Sequence, residues 1–123
     1  MKKTKMLKKN YEFKNVLSKG KYYSGKYIET FIRENRKKEE INYLGIAIGV
    51  KIAKANKRNY IKRLIRENYK NCEDLLETGY SIVFLWKKKK DTQNANFENI
   101  KEDMNQIFDK AHLFKENKWK IYL

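Results

Sequence analysis

The sequence of 123 residues contains no proline and only five glycines. Because linkers between domains are commonly rich in these two residues, their scarcity predicts one domain over residues 1–123, with a tail at 115–123 that matches no pattern. No apolar run is long enough to cross a membrane, and the basic N-terminus lacks the apolar segment of a signal peptide. We therefore expect a cytoplasmic protein without a membrane partner.

Acidic residues are also scarce. The chain has 15 Asp and Glu against 30 Lys and Arg, which gives a formal net charge of +15. Such an excess opposes compaction through self-repulsion, and a polyanionic partner would offset it. Apolar residues make up 41% of the chain, which is enough for a core and excludes a disordered basic tail. The composition predicts a folded protein that binds nucleic acid.

The chain has one cysteine and one histidine. Cys72 alone excludes an intrachain disulfide, and Cys72 with His112 is too little for a zinc site. Cleavage of RNA by a metal-free protein commonly needs a general acid and a general base. Cys72 falls on an apolar helical stripe and His112 at the end of a helical pattern, so we expect core and capping or surface roles. The sequence therefore predicts no catalytic and no metal-binding residue.

Apolar periodicity predicts an α+β fold in the order helix, one or two strands, helix, strand, helix around a central β-sheet. The predicted helices cover residues 10–18, 55–77 and 97–111. The predicted strands cover residues 22–34, which could be bent into two, 41–51 and 79–87. The strand at 41–51 has an apolar face that ends at Val50. Its other face carries small residues against which another group could lie closely, namely Gly45, Ala47 and Gly49.

The segment KRNYIKRLIRENY, residues 57–69, combines an apolar stripe with a basic side. Arg58, Lys62 and Arg66 are spaced by four and lie along one side of the predicted helix, broadened by Asn59 and Arg63. Between residues 51 and 70 eight Lys or Arg accompany a single acid. Like charges at this spacing destabilise a helix unless something external neutralises them. A phosphate backbone would do so, and a solvated helix face is the alternative.

Strands predicted on both sides of the basic helix favour RNA over DNA. A helix-turn-helix needs a compact set of helices, whereas RNA-binding proteins often combine a basic helix with a sheet that presents aromatic side chains. Each aromatic could instead belong to the core. The candidates for stacking are Phe13, Tyr27, Phe31, Tyr43 and Trp86.

The segment LGIAIGVKIAKANKRNYIKRLIRENYK, residues 44–70, resembles the signature of the bacterial ribonuclease P protein subunit. In that family a strand ending in lysine leads into A-x-x-R-N-x-x-K-R-x-x-R on a helix. The segments LKKNYEFKNVLSKGK and GYSIVFLWKK resemble the family's first helix and the strand after its long helix. The matching motif positions in this sequence are Lys51, Ala55, Arg58, Asn59, Lys62, Arg63 and Arg66.

The resemblance implies a small two-layer sandwich similar to ribosomal protein S5 domain 2, with an unusual left-handed βαβ crossover. It also implies a ribonucleoprotein in which the RNA subunit removes the 5′ leader of precursor tRNA. The Mg²⁺ ions required would be bound mainly by the RNA subunit and the substrate. The protein would bind the ribonuclease P RNA and the precursor tRNA as a monomer in a 1:1 complex with RNA, without a small-molecule substrate.

The resemblance places the basic-helix residues Lys51, Arg58, Asn59, Lys62, Arg63 and Arg66 on RNA. It places the leader in a cleft lined by Phe13, Leu17, Phe31 and Lys54. Lys14 and Lys51 would add positive charge to that cleft, and the small face of Gly45, Ala47 and Gly49 would form its floor.

Three positions depart from the family pattern. Tyr60 replaces a basic residue, Leu17 replaces an aromatic one, and Val50 replaces a lysine. A ribosomal or other structural RNA-binding protein without a role in cleavage is the alternative function. A DNA-binding regulator and a protein-only nuclease are further alternatives, disfavoured by the missing base-reading helix and the missing acid–base pair.

Overall fold

The computed structural model describes residues 1–35 and 40–115. It contains three helices, five strands and two short 3₁₀ turns in that part of the chain. The strands are β1 (Thr4–Met6), β2 (Lys21–Ser24), β3 (Ile28–Glu34), β4 (Asn42–Ala47) and β5 (Tyr80–Trp86). The helices are α1 (Asn10–Lys19), α2 (Ala55–Cys72) and α3 (Phe97–Lys110), with 3₁₀ turns at Glu73–Leu75 and Thr92–Asn94.

The five strands form one mixed sheet in the order β1-β4-β5-β3-β2. β4 pairs in parallel with both β1 and β5, whereas β3 pairs antiparallel with β2 and β5. The parallel pair β4 and β5 is connected through α2, so the predicted strand–helix–strand unit and the α+β class are confirmed. The hand of this crossover and the likeness to ribosomal protein S5 stay predictions. No helix in the described segments is both long enough and apolar enough to span a membrane.

Helices cover both faces of the sheet. α2 and α3 pack on one face, where the alternate residues of the strands form the main core around Ile28, Leu44, Ile82 and Phe84. α1 lies on the other face, over a small cluster of Leu7, Val16 and Val83. Because Val83 faces α1 while its neighbours Ile82 and Phe84 face the main core, β5 is buried on both sides.

The predicted strand at 22–34 is two strands, because α3 holds the turn between them. Asp103, buried on α3, accepts hydrogen bonds from the backbone N–H groups of Lys26, Tyr27 and Ile28 at 2.9, 2.6 and 3.0 Å. A Cβ atom on Gly25 would lie 2.6 Å from Cγ of Asp103, so the turn has room only for glycine there. A residue distant in sequence therefore fixes the break between β2 and β3.

The ends of one strand and one helix also differ from the prediction, and one strand was not predicted. β4 ends at Ala47, and the chain turns through Gly49 to Ile52, whose N–H donates to the Gly49 carbonyl at 3.0 Å. Val50 is consequently 75% exposed, so its predicted place on the apolar face was wrong. α2 ends at Cys72 rather than at residue 77. The short strand β1 was not predicted, and most of the unassigned tail, residues 116–123, lies outside the described residues.

Candidate RNA interface

The helix α2 separates apolar and basic side chains as the sequence predicts. Ile61, Leu64 and Ile65 are buried in the main core. Arg63 and Arg66 are exposed, and the side chain of Arg63 is 63% accessible to solvent. Removing these two cationic side chains would therefore leave the packed face of the helix unchanged.

Few acidic groups neutralise this basic side within the protein. Among the described residues, the one ion pair is Arg63 with Glu67, whose Nε and Oε1 atoms are 3.9 Å apart. An exposed pair of this kind contributes at most about 1 kcal/mol. The first turn of α2 carries no acidic residue, so the positive end of the helix dipole adds to the basic charge. The arrangement attracts phosphate groups.

Tyr60, which replaces a basic residue of the family pattern, lies among the cations of this side. Nζ of Lys57 is 5.1 Å and Cζ of Arg63 is 5.4 Å from the centroid of its ring. These distances are within the range of cation–π attraction. Tyr60 thus orients two basic side chains. The sequence comparison alone indicated only that a basic residue was lost at this position.

Arg58 has a structural contact that sequence reasoning missed. Its half-buried guanidinium donates from Nη1 to the carbonyl oxygen of Ala53 at 2.7 Å. This bond holds the turn that joins β4 to α2. The same turn carries Lys51 and Lys54, both exposed. Arg58 therefore positions neighbouring cations in addition to carrying charge itself, and no local pattern in the sequence signals this bond.

α1 crosses the sheet over a row formed by Gly45, Val83 and Phe31, which are aligned by strand register. A Cβ atom on Gly45 would lie 2.7 Å from Cε1 of Phe13, so the ring of Phe13 fills the space over this glycine. As expected, another group lies closely against the small face of β4, and that group is the ring of Phe13. Gly45 therefore cannot form an open floor, and Gly49 lies beyond the end of β4, so that part of the predicted groove was wrong.

The next sheet row, Ala47–Leu85–Glu29, is half-buried and lies beside α1 on the same face of the sheet. Phe13, Leu17 and Phe31 are half-buried as well, and all three pack against the small cluster under α1. The structure thus brings together three of the four predicted cleft residues. Ala47 continues into the turn with Lys51 and Lys54, which places the groove next to the basic end of α2. We name the surface formed by Phe13, Leu17, Phe31 and the row Ala47–Leu85–Glu29 the leader groove, after the ligand that the family resemblance predicts for it.

Tyr22 is a further aromatic residue at the leader groove. It pairs with Phe31 across β2 and β3, is 49% exposed, and its ring centroid lies 5.2 Å from that of Phe31. Its hydroxyl donates to Oε2 of Glu29 at 2.7 Å, and this hydrogen bond raises the pKa of Tyr22. Sequence reasoning missed Tyr22, because only the register of the hairpin places it opposite Phe31.

One aromatic candidate for stacking, Trp86, belongs to the core, and a second, Tyr27, packs against it. Trp86 is buried, and its Nε1 donates to the carbonyl oxygen of Lys90 at 2.8 Å. Tyr27 stacks on it with ring centroids 5.7 Å apart. The interpretation of the Trp86 ring as an RNA platform was therefore wrong, whereas Tyr27 is half-buried and keeps part of its surface accessible. Tyr43 is half-buried on the face under α1, away from the leader groove row.

Comparison with known proteins identifies the family. Residues 1–112 match the family model described as Ribonuclease P. The ribonuclease P protein component of Clostridium kluyveri is 33% identical over 111 residues, which cover 89% of this chain and 96% of that protein. The chain belongs to the ribonuclease P protein family. The ribonuclease P protein component of Clostridioides difficile is 33% identical over 105 residues, which cover 85% of this chain and 89% of that protein.

Solved structures of ribonuclease P proteins share the fold. The Staphylococcus aureus protein superposes with a TM-score of 0.77 at 24% identity, covering 89% of this chain and 97% of that one. The Thermotoga maritima protein superposes with a TM-score of 0.73 at 25% identity, covering 84% and 94%. The resemblance carried by residues 44–70 is thus confirmed for the ribonuclease P family and its α+β fold.

Cys72 and His112 of this ribonuclease P protein have the structural roles that the sequence predicts. Cys72 is buried, its Sγ donates to the carbonyl oxygen of Tyr69, and burial raises the pKa of its thiol to about 11. His112 terminates α3 in the left-handed region, at φ 53°. Its N–H donates to the carbonyl of Asp109, and that of Leu113 to Phe108, which is the hydrogen-bond pattern of a helix C-terminus.

Proposed function

We propose that this ribonuclease P protein binds the catalytic RNA through the basic side of α2 and holds the 5′ leader of precursor tRNA in the leader groove. The observation that carries the proposal is continuity. Three parts of the site follow one another along the chain. Ala47, at the end of β4, lies in the groove floor, the turn with Lys51 and Lys54 comes next, and the basic side of α2 follows it. An RNA strand leaving α2 would pass the exposed lysines of this turn before it enters the groove.

The groove suits a single strand of RNA. Exposed Lys51, Lys54 and Lys14 can contact phosphates, while the partly exposed rings of Phe13 and Phe31 can stack on bases. Every base has a π-face, so stacking tolerates many leader sequences. Leu17 can pack on a base or ribose but cannot stack as the family's aromatic residue would. The leader would therefore be held by one flank of α1 and by the lysine-bearing turn.

Catalysis is assigned to the RNA partner. The described residues contain no cluster of three or more His, Cys, Asp or Glu side chains that could hold a metal ion, so these residues do not form a Mg²⁺ site by themselves. Mg²⁺ ions in this proposal belong to the RNA subunit and the substrate. The net charge of +15 lowers the repulsion between the phosphates of two RNAs by replacing their counterions. We further propose a cytoplasmic monomer in a 1:1 complex with its RNA.

The test is a reconstitution assay of 5′ processing. Purified protein is added to a ribonuclease P RNA at a magnesium concentration where the RNA alone cleaves precursor tRNA slowly. The protein should accelerate correct 5′ cleavage, and it should not cleave in the absence of the RNA. An Arg63→Ala, Arg66→Ala double variant should accelerate less, while Lys101→Ala on α3 should match the wild type. Binding of the RNA without any acceleration would show a purely structural RNA-binding protein instead.

A further inference from the structure

A hollow of about 300 Å³ lies between the end of α2 and the middle of α3. Cys72 of α2 and Met104 of α3 are its buried apolar residues, and their sulfur atoms are 4.0 Å apart. Leu75 forms an apolar wall that is 59% exposed, while Asn71 and Asn105 line the hollow from exposed positions. An apolar depression with a polar rim is typical of a binding site for an apolar group.

The last described residues direct the chain towards this hollow. After α3 the chain returns to the 3₁₀ turn that follows α2, where Phe114 pairs antiparallel with Leu76. The N–H of Lys115 then donates to the carbonyl oxygen of Leu75 at 2.7 Å. Because the pairing is antiparallel, the chain at Lys115 runs from Leu75 back towards Cys72. Both of these residues line the hollow, so Lys115 is hydrogen-bonded to its wall.

The sequence that follows Lys115 has the composition to fill an apolar hollow. We name ENKWKIYL, residues 116–123, the C-terminal segment; it carries Trp119 and ends in an isoleucine, a tyrosine and a leucine. A segment of this length reaches up to about 26 Å at 3.3 Å per residue. The residues of α2 that line the hollow, from Asn68 to Cys72, span only about 6 Å at 1.5 Å per residue. The C-terminal segment is therefore long enough to cover the whole hollow.

We propose that the C-terminal segment binds in the hollow between α2 and α3 of its own chain, with Trp119 covering Leu75 and Cys72. Burial of the indole removes apolar surface of both partners from water. Because the segment is joined to the wall of the hollow at Lys115, its local concentration there is high, which favours its own chain over a second copy. Binding would also shield the thiol of Cys72, the one cysteine of the sequence, from reagents. The proposal does not rest on the proposed function.

Tryptophan fluorescence of the full chain tests this contact. Trp86 is buried in the main core, so the difference in emission between each protein and its Trp119→Phe counterpart isolates Trp119. Acrylamide should quench bound Trp119 several-fold less than free tryptophan. Leu75→Gln removes the exposed apolar wall, so it should raise the quenching of Trp119 to that of free tryptophan without lowering the melting temperature. Val50→Gln, at an exposed apolar residue before the start of α2, is the matched control and should leave the quenching unchanged.

The thiol of Cys72 reports on the same contact from inside the hollow. A Trp119→Ser, Ile121→Ser double variant should react with a thiol reagent several-fold faster than wild type, at an unchanged melting temperature. Equal rates for the two proteins would overturn the proposal, as would quenching of wild-type Trp119 equal to that of free tryptophan or quenching that ignores Leu75→Gln. Protection of Trp119 that disappears on dilution would show that a second copy supplies the segment, and would overturn it too. All of these measurements use the protein without RNA, so they are independent of the leader groove.

Discussion

Arg63 and Arg66 are the two motif residues whose removal should report on RNA contact alone. Both are exposed on α2, and the one ion pair of Arg63 is exposed and weak. Each Arg→Ala change should lower the slope of log K against log salt for ribonuclease P RNA by about one, with an unchanged melting temperature. Lys101→Ala on α3 should leave the slope as in wild type. An unchanged slope in both arginine variants would mean that this side of α2 is merely solvated.

Cys72 should make stability depend on pH in the alkaline range. Burial raises its pKa from 9.0 to about 11, so the folded state keeps a proton that the unfolded state loses. Stability should therefore fall as pH rises from 9 towards 11, and this residue should account for about 2–3 kcal/mol of that loss. Burial also raises the pKa of Tyr69 to about 12. Its ionisation therefore lowers the stability further at higher pH, in wild type and in any variant that retains Tyr69.

Denaturant unfolding of wild type and Cys72→Ala between pH 7.5 and 11 measures the contribution of Cys72. The variant should be less stable at neutral pH, because it leaves a small void, and the difference should shrink above pH 9. Curves that stay parallel to pH 11 would show that the thiol ionises as readily in the folded as in the unfolded state.

At the scale of elements, Asp103 of α3 should hold the β2–β3 hairpin. Its carboxylate accepts three backbone N–H groups of the turn. Asp103→Asn keeps the size but replaces one acceptor oxygen by a donor that faces another donor, which should cost about 3 kcal/mol of unfolding free energy. Asp109→Asn, the same change at an exposed position of α3, should cost less than about 0.5 kcal/mol. Equal denaturation midpoints for the two variants would contradict this role.

Phe31 should contribute to leader binding through its ring. Phe31→Leu retains apolar volume in the small cluster but removes the stacking surface, and so should weaken binding of leader-bearing precursor tRNA about fivefold or more. Binding of mature tRNA should barely change. Phe84→Leu makes the same change in the main core and should lower the melting temperature without distinguishing the two RNAs. Equal losses for both RNAs in Phe31→Leu would remove Phe31 from the leader groove.

Elements with strong periodicity could be predicted from the sequence, and those set by distant contacts could not. The helices at 10–18, 55–77 and 97–111 correspond to α1, α2 and α3 because their apolar residues recur at helical spacing. β1 has only three residues, and its place depends on pairing with β4 and on the 2.8 Å hydrogen bond between Thr4 Oγ1 and the Tyr69 hydroxyl. The break between β2 and β3 likewise depends on Asp103.

The candidate site shows the same division. The basic side of α2 follows from residue spacing, and the family resemblance placed Phe13, Leu17 and Phe31 in one cleft, where the structure brings them together. The bond from Arg58 to Ala53, the ring of Tyr22 beside Phe31 and the cover of Phe13 over Gly45 depend on tertiary geometry. A linear pattern contains no signal for these three contacts.

At the scale of the whole molecule, the fold separates three surfaces around one sheet. α2 and α3 cover one face and expose the basic side of α2, while α1 divides the other face into the leader groove and a cavity lined by Tyr11, Asn15 and Asn35. The net charge of +15 favours RNA at any of these surfaces, so overall affinity alone cannot distinguish between them. A measurement that varies only the leader can distinguish the leader groove from the other surfaces.

The most direct test of the central claim compares the affinities of precursor and mature tRNA for ribonuclease P RNA, with and without this protein. The two substrates differ only in a leader of several nucleotides. If the leader lies in the groove beside α1, the protein should raise the affinity for precursor tRNA by about tenfold or more over its effect on mature tRNA. An equal increase for the two tRNAs, or none for either, would contradict the account.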